Sequence, residues 1–352
     1  MAGDSWLVRV GFVSGLATSL SAGHYPLAAA CMTPRSIFDL RIDGRKVRLG
    51  ERTLIMGALN VTPDSFSDGG LYLAPGAAIE HGLELVRQGA DWIDVGGEST
   101  RPGSRPTPAA EELQRVLPVI KALRRKLPST PISIDTTKAE VAEMAVRAGA
   151  NILNDVSGLR FDARLAEVAR RHKTPLILMH LRGRPETMQT RPFVADIVQS
   201  VKRGLAASVR RALRAGVRRS QLILDPGLGF GKSRMQNFQI LSHLGKLRRF
   251  GFPILVGSSR KSFIQAVAAG TGLHAGAPRS LRGRKGAEGC WPMMGKQLGV
   301  RRGVPPVSAD AAAVVAGILA GAHIVRVHDA EGILPAVRIA DAVLEADGMV
   351  GR

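Results

Sequence analysis

Eight places along this chain put a chemically capable side chain directly after a short apolar run. They are Asn60; Asp94, with Glu98, Ser99 and Thr100 behind it; Asp135; Asn154 and Asp155; His180; Asp225; Ser258, Ser259, Arg260 and Lys261; and Arg326, His328 and Asp329. Any one of them reads as a cap at a strand–helix turn, the commoner fate of Asp, Asn and Ser at such places. Eight polar run-ends together form a pattern with a chemical meaning. Carboxylates and amides such as Asp135, Asn154 and Asp225 can satisfy a flat heterocycle bearing adjacent N–H donors, as a carboxylate pairs with a guanidinium fork. Lys261, Arg326 and His328 are cations suited to a phosphate, and Asn60 can add a neutral ligand for a metal riding on that phosphate. The expected ligands are a planar nitrogen heterocycle at depth and an anion at the rim. His180 is expected to be a strand-end histidine that satisfies its own hydrogen bonds rather than a substrate contact.

The elements that must position these residues are a repeated strand–helix unit. The runs are 53–59 (TLIMGAL), 92–95 (WIDV), 131–135 (PISID), 151–156 (NILNDV), 175–180 (PLILMH), 221–225 (QLILD), 253–257 (PILVG) and 322–327 (AHIVRV). They alternate with helix-period segments, which predicts a parallel α/β fold, and eight is the number that closes a parallel barrel with its active site at the C-terminal strand ends. Thr107 and Pro108 predict the N-cap and first turn of a helix bearing Leu113, Val116, Leu117, Ile120 and Leu123. Thr137 and Glu140 predict a capping box ahead of Val141, Met144, Ala145 and Ala148. Gly89-Ala90, Gly149-Ala150 and Gly321-Ala322 each stand immediately before a strand, where glycine takes the left-handed turn that ends a helix.

A chain of 352 residues, 45% hydrophobic, can bury a large core. No uncharged apolar run reaches the roughly eighteen residues that a membrane-spanning helix needs, so a soluble protein without a membrane partner is expected. Cys31 and Cys290 both fall outside the strand–helix pattern, which leaves no disulfide framework and fits a reducing cytoplasm. The net charge of +20 is mostly arginine, spread along a chain with only 4% aromatics and no zinc-finger or helix-turn-helix spacing. That composition favours anionic small molecules over nucleic acid. Residues 1–31 are expected to be a disordered extension, because Asp4 and interspersed Gly, Ser and Thr break any signal-peptide core; the barrel then occupies 32–352. Residues 271–307, with seven basic residues against one acidic, read as an irregular insertion between the seventh and eighth barrel strands.

The segments GALNVTPDSFSDGG (57–70), IDVGGESTRPGS (93–104), SIDTTK (133–138), NDVSG (154–158), LMH (178–180), DPGLGFGK (225–232), GSSRKSF (257–263) and RVHD (326–329) resemble, in this order, the dihydropteroate synthase family of pterin-binding (β/α)8 barrels. The resemblance covers about residues 52–346 without the insertion. It implies condensation of 6-hydroxymethyl-7,8-dihydropterin pyrophosphate with p-aminobenzoate, with Mg2+ as cofactor and a homodimer as the assembly. It further implies a pterin pocket of Asp135, Asn154, Asp225, Lys261 and Met179, and a pyrophosphate site of Asn60, Arg326 and His328, with Asn60 also on the metal. Phe66, Thr100, Pro102, Phe230 and Ser262 are the implied neighbours of p-aminobenzoate, and Asp68 belongs with Phe66 to a first loop that closes over the substrates. The implied reaction is a dissociative substitution. Pyrophosphate leaves, the pterin cation is delocalised into its ring, and the aniline nitrogen attacks the exocyclic methylene. Asp68, Asp135, Lys261, Arg326 and His328 are then the residues that act on the reacting centre.

The pattern departs from the family at 271–307, which replaces a short ERL-type lead-in to the last helix before strand eight. A non-catalytic pterin-binding paralogue, or a barrel like the methyltetrahydrofolate-dependent methyltransferases, is the rival reading. The methyltransferases bind no pyrophosphate, so the presence of both GSSRKS and RVHD argues for the synthase.

Overall fold

Asp43 and Gly44 both take left-handed backbone angles (φ 49° and 78°), the turn that joins strands of right-handed twist, and they close an antiparallel hairpin of Phe38–Ile42 (β1) and Arg45–Leu49 (β2). This hairpin was not among the expected elements, although Asp-Gly between alternating residues is its sequence signal. It belongs to a computed structural model that describes residues 35–62, 75–100, 104–188, 194–270, 272–273 and 307–350. The expected extension at 1–31, most of the expected insertion, and Phe66, Asp68 and Pro102 lie outside the described residues.

All eight expected runs are strands of one parallel sheet. They are Leu54–Asn60 (β3), Trp92–Gly96 (β4), Ile132–Asp135 (β5), Ile152–Asp155 (β6), Leu176–Met179 (β7), Leu222–Asp225 (β8), Leu255–Val256 (β9) and Ile324–Val327 (β10). Their order, β8-β7-β6-β5-β4-β3-β10-β9, becomes a barrel where β8 meets β9 through a bridge between Leu224 and Ile254. The ladder of β9 is shorter than the expected 253–257 because Pro253 has no N–H to contribute; its carbonyl accepts from Leu224 N–H at 2.9 Å instead.

Helices Pro75–Arg87 (α1), Ala109–Lys126 (α2), Ala139–Ala148 (α3), Leu165–His172 (α4), Ile197–Arg214 (α5), Arg234–Ser242 (α6), Ser262–Ala268 (α7), Val307–Leu319 (α8) and Ala330–Val350 (α9) follow the strands. The Gly-Ala junctions are Schellman turns. Gly149 (φ 118°) donates to Val146 O and Ala150 to Ala145 O, and the same pair of bonds recurs at Gly89-Ala90 and Gly321-Ala322. Two caps differ from expectation. α2 starts without a side-chain cap, and Thr107 uses its backbone N–H to donate to Glu98 Oε1 at 2.8 Å. α3 has no Thr137–Glu140 box; Asp162, from the loop after β6, accepts from Ala139 N–H, and Thr136 Oγ1 from Lys138 N–H. Met144 is 41% exposed, so the packed face of α3 is Val141, Ala142 and Ala145. Among the described residues no helix is long and apolar enough to cross a membrane.

The apolar interior is in two parts. One lies between the sheet and the helices, where Ile55, Ile93, Ile134 and Leu178 meet residues such as Leu85, Ile120 and Val141. The other fills the barrel's N-terminal half, where Met56, Trp92, Ile152, Ile177, Ile223, Leu255 and Ile324 pack with Leu40, Ile42 and Leu49 of the hairpin. The hairpin is thus a plug, and Asn151 pins its turn by donating to Asp43 Oδ2 at 2.6 Å. Plugging this end leaves the C-terminal mouth as the accessible one.

Leu49→Ala tests the plug. Leu49 is fully buried at the base of the barrel, so truncation is expected to cost about 2–5 kcal/mol, the range for a buried leucine that leaves a cavity. Urea unfolding monitored by Trp fluorescence measures it; a change within about 0.5 kcal/mol, the value for an ordinary surface site, would show that the hairpin is an appendage.

Candidate functional site

Along the inner face of the barrel, strands that are apolar below carry residues of the site one side-chain repeat above. Trp92 is followed inward by Asp94, Ile152 by Asn154, Ile177 by Met179, Ile223 by Asp225, and Ile324 by Arg326 and then His328. The register sets Asp135 beside Asn154 and Gly96, and Met179 beside Asp225. Polar side chains therefore converge at one level, above the apolar plug, around a cavity of about 470 Å3.

The floor of that cavity is organised by Asp94, which has no exposed surface. Its Oδ2 accepts from Arg326 Nε at 2.7 Å and from Asn154 Nδ2 at 2.9 Å. The second bond fixes the Asn154 amide: with nitrogen committed to Asp94, its oxygen is the atom left for a ligand. Arg326 reaches on to Asp135 Oδ2 at 3.3 Å. Burial opposes the charge of Arg326, but Asp94 and Asp135 outweigh it and hold its pKa above the ordinary value. The Asp135 carboxyl is pushed up by burial and then by the nearby Asp94 charge.

Across the barrel, Asp225 accepts from Gly227 N–H at 2.7 Å, and burial raises its pKa to about 6. Two lysines sit near it. Lys232 donates to the carbonyls of His180, Gly227 and Phe230 at 2.6–3.0 Å, so it is a brace that shapes the loop after β8. Lys261 points over the Phe230 ring at 4.3 Å and lines the cavity; burial, reinforced by Arg326, lowers its pKa to about 8. Val156, Met179 and Met188 give this side an apolar wall.

At the rim, His328 faces Asn60, with Nε2 and Nδ2 3.5 Å apart, and its Nδ1 lies 3.3 Å from Ser259 Oγ. The segment after β4 is anchored by Glu98, which bonds Lys138 Nζ at 2.7 Å while that lysine also bonds buried Glu112 at 2.6 Å. Ser104 Oγ donates to Ser99 O at 2.6 Å, which holds the two ends of the loop bearing Thr100 together.

Of the residues singled out in the sequence, Asn60, Thr100, Asp135, Asn154, Met179, Asp225, Phe230, Lys261, Ser262, Arg326 and His328 all line this one cavity. His180 does not. It is buried in packing against α5, where an added Cβ at Gly204 would strike its ring, and burial holds its pKa far below the usual value. Sequence reading named Asp94 only as a strand end and passed over Lys232 and Asp310. For Asp94 the available signal was its place one side-chain repeat above Trp92 on the inward face.

A family model described as "Pterin binding enzyme" matches residues 56–328. The dihydropteroate synthase of Synechocystis sp. is 43% identical over 294 residues, 84% of this chain and 91% of the relative. The Yersinia pestis dihydropteroate synthase, solved in a sulfonamide complex, superposes with a TM-score of 0.72 at 35% identity, covering 88% of this chain and all of that one. The Xanthomonas albilineans dihydropteroate synthase, solved with 4-aminobenzoic acid, gives 0.71 at 37% identity over 88% of this chain and 98% of that one. By sequence and by fold, the chain belongs to the dihydropteroate synthase family of pterin-binding (β/α)8 barrels.

Proposed function

We propose that this chain joins 6-hydroxymethyl-7,8-dihydropterin pyrophosphate to p-aminobenzoate, giving 7,8-dihydropteroate and pyrophosphate. The observation that carries the reading is a single cavity whose depth holds three acceptors, Asp135, Asn154 and Asp225, and whose rim holds Asn60 and His328. A ring with N–H groups along one edge matches the acceptors, and an anion matches the rim. Lys261 and Phe230 meet on the wall of the same cavity, beside Ser262 at the start of α7. Thr100, Phe230 and Ser262, which line the same cavity, form the p-aminobenzoate side; one relative was solved with 4-aminobenzoic acid and another with a sulfonamide. Phe66, Asp68 and Pro102 are assigned to the same reaction from their motifs.

The residues act on charge. Leaving-group departure puts negative charge on pyrophosphate and positive charge on the pterin, and preorganised groups of opposite sign at each end favour both. His328 at the rim, and Arg326 from the floor below it, stabilise the first; Asp135 and Asp225 favour the second. The aniline is neutral and nucleophilic as it stands, so its attack needs orientation and exclusion of water more than a base.

Mg2+ fits this rim with Asn60 as its protein ligand. Among the described residues no three His, Cys, Asp or Glu side chains gather into a metal cage. Mg2+ characteristically keeps its waters and takes one or two protein oxygens plus substrate phosphates, so a lone amide oxygen at the mouth is a suitable donor. When bound it would neutralise charge on the pyrophosphate. A homodimer and a cytoplasmic location complete the proposal, on the family resemblance.

Three measurements test it. Asp225→Ala leaves ring N–H groups without their acceptor, a loss of about 1–3 kcal/mol, so pterin affinity by calorimetry should fall tenfold or more; an unchanged value removes Asp225 from the pocket. pH supplies the second. Ionised, the Asp225 carboxyl offers two acceptor oxygens and a negative charge; protonated, it loses the charge and turns one oxygen into a donor, so pterin affinity should weaken as pH falls through about 6, and Asp225→Asn should abolish that dependence. A wild-type affinity that is flat from pH 7 to 5 contradicts the assignment. For the rim, His328→Ala is the cleaner probe, because truncating Arg326 would strand buried Asp94 and disturb Asn154. Turnover should fall by about 10²–10³ with plain pterin affinity retained, and full activity in the variant would show that the anion binds elsewhere.

A further inference from the structure

Asp310 is 7% exposed in the first turn of α8 and points at the turn that follows β9. Its Oδ2 accepts from Ser259 Oγ at 2.9 Å and from Arg260 N–H at 2.9 Å. Arg260 has φ 56°, a left-handed conformation unusual for a residue with a side chain, and the bond to Asp310 holds it there. Ser259, 3% exposed, in turn approaches His328 twice, at the backbone N (3.4 Å) and at Nδ1 (3.3 Å). We propose that Asp310 is a positioning residue for the anion rim, acting through Ser259 to orient His328; the proposal rests on the reading of that rim as the pyrophosphate site.

A carboxylate only accepts, so the single hydrogen of the Ser259 hydroxyl goes to Asp310. Ser259 Oγ is then an acceptor toward His328, and the partner nitrogen, Nδ1, carries the proton. This assigns the two faces of the ring: Nδ1–H is directed to the protein, and the Nε2 side, next to Asn60, is presented to the cavity, where a ring that binds an anion carries its second proton. Without Asp310 the hydroxyl is free to turn and donate to Nδ1, which then cannot carry a hydrogen, so the doubly protonated ring loses its partner and its orientation. The same carboxylate fixes the backbone directly before Lys261 and Ser262, so one buried group sets the rim and the corner next to it. The chain of contacts runs from α8, beyond residues 271–306, to the only imidazole lining the cavity among the described residues. Partners that orient a working histidine behave as parts of the site, and losing one typically costs about 10–100-fold in metal-centre precedents.

The test titrates inorganic pyrophosphate, with 6-hydroxymethylpterin as the control ligand, into wild type, Asp310→Asn, Ser259→Ala, His328→Ala and the Asp310→Asn, His328→Ala double variant. Asp310→Asn keeps the volume and one acceptor oxygen; Ser259→Ala removes only a hydroxyl and makes the same test should the first variant fold poorly. Each is expected to weaken pyrophosphate binding by about tenfold and leave pterin affinity unchanged. In the double variant Asp310→Asn should add nothing to the loss from His328→Ala, because its effect runs through that ring. Long-range 1H–15N spectra of the pyrophosphate complex supply a readout that a merely structural role would not move: His328 protonated at both nitrogens in wild type, and a population that has lost the Nδ1 hydrogen in Ser259→Ala. If folded Asp310→Asn and Ser259→Ala bind pyrophosphate as wild type does, or if Asp310→Asn costs as much with His328 absent as with it present, the proposal is overturned. Wild type that neither binds pyrophosphate nor turns over overturns the rim reading itself, and the two failures are distinguished by that control.

Discussion

One ion pair, Arg326 with Asp94, sets the geometry on which the site depends. Asp94 is wholly buried and its Oδ1 has no hydrogen-bond partner, so it is a costly group to place at the centre of a barrel. Buried pairs of this sort are close to neutral for stability when compared with an apolar substitute. Its return is orientation. The same oxygen that receives Arg326 also receives Asn154, so the amide that faces the ligand and the guanidinium that spans the floor are set by one atom. Asp135, within reach of the same guanidinium, is kept close to a cation although burial and Asp94 both favour its protonation.

Such a charged floor needs a dry and rigid support, and the plugged lower half of the barrel supplies it. Trp92, Ile152, Ile177, Ile223 and Ile324 lie directly beneath, closed from below by Leu40, Ile42 and Leu49. Low dielectric strengthens each bond above this layer and raises the penalty for any group left unpaired. It also accounts for the pKa shifts. Asp225 is moved up and Lys261 down mainly by burial, which brings both toward neutrality, where a ligand charge or N–H can decide their state.

Much of this was legible in the sequence, and for a definite reason. A strand buried on both sides reads as an apolar run, and a polar residue at its end in an inward position has few uses other than the site; Asn154 and Asp225 were found this way. The hairpin was missed because Phe-Asp-Leu-Arg-Ile and Arg-Lys-Val-Arg-Leu carry charges at two and three of their five positions, which reads as surface until the plugged barrel beneath is known. The capping box at Thr137 failed because a distant residue, Asp162, reached Ala139 first. Asp94 and Asp310 could be seen as residues but not as partners: their roles lie in contacts to Arg326 and Ser259, 232 and 51 positions away, and local pattern has no access to such distances.

The described residues on both sides of the stretch 271–307 are tied to the barrel by contacts of their own. On one side of it α7 is fixed by Phe263 against Phe238, with rings 5.2 Å apart and nearly perpendicular. On the other, α8 begins at Val307 and is joined back to the β9 corner by Asp310 within its first turn. α8 lies over Val256 of β9 at Gly317, and β10 pairs with β9 at Ile324 and Leu255. Joining two ends already held this way costs little more for a long connection than for a short one, since closure entropy rises by only about 0.6 kcal/mol for each doubling of length. A long connection is therefore tolerated here on one condition: the contact that re-enters the barrel must be strong and specific. A carboxylate that binds both a side chain and a strained backbone N–H on the far side of the gap meets that condition, which is a physical reason for a buried acid at this position rather than an apolar one.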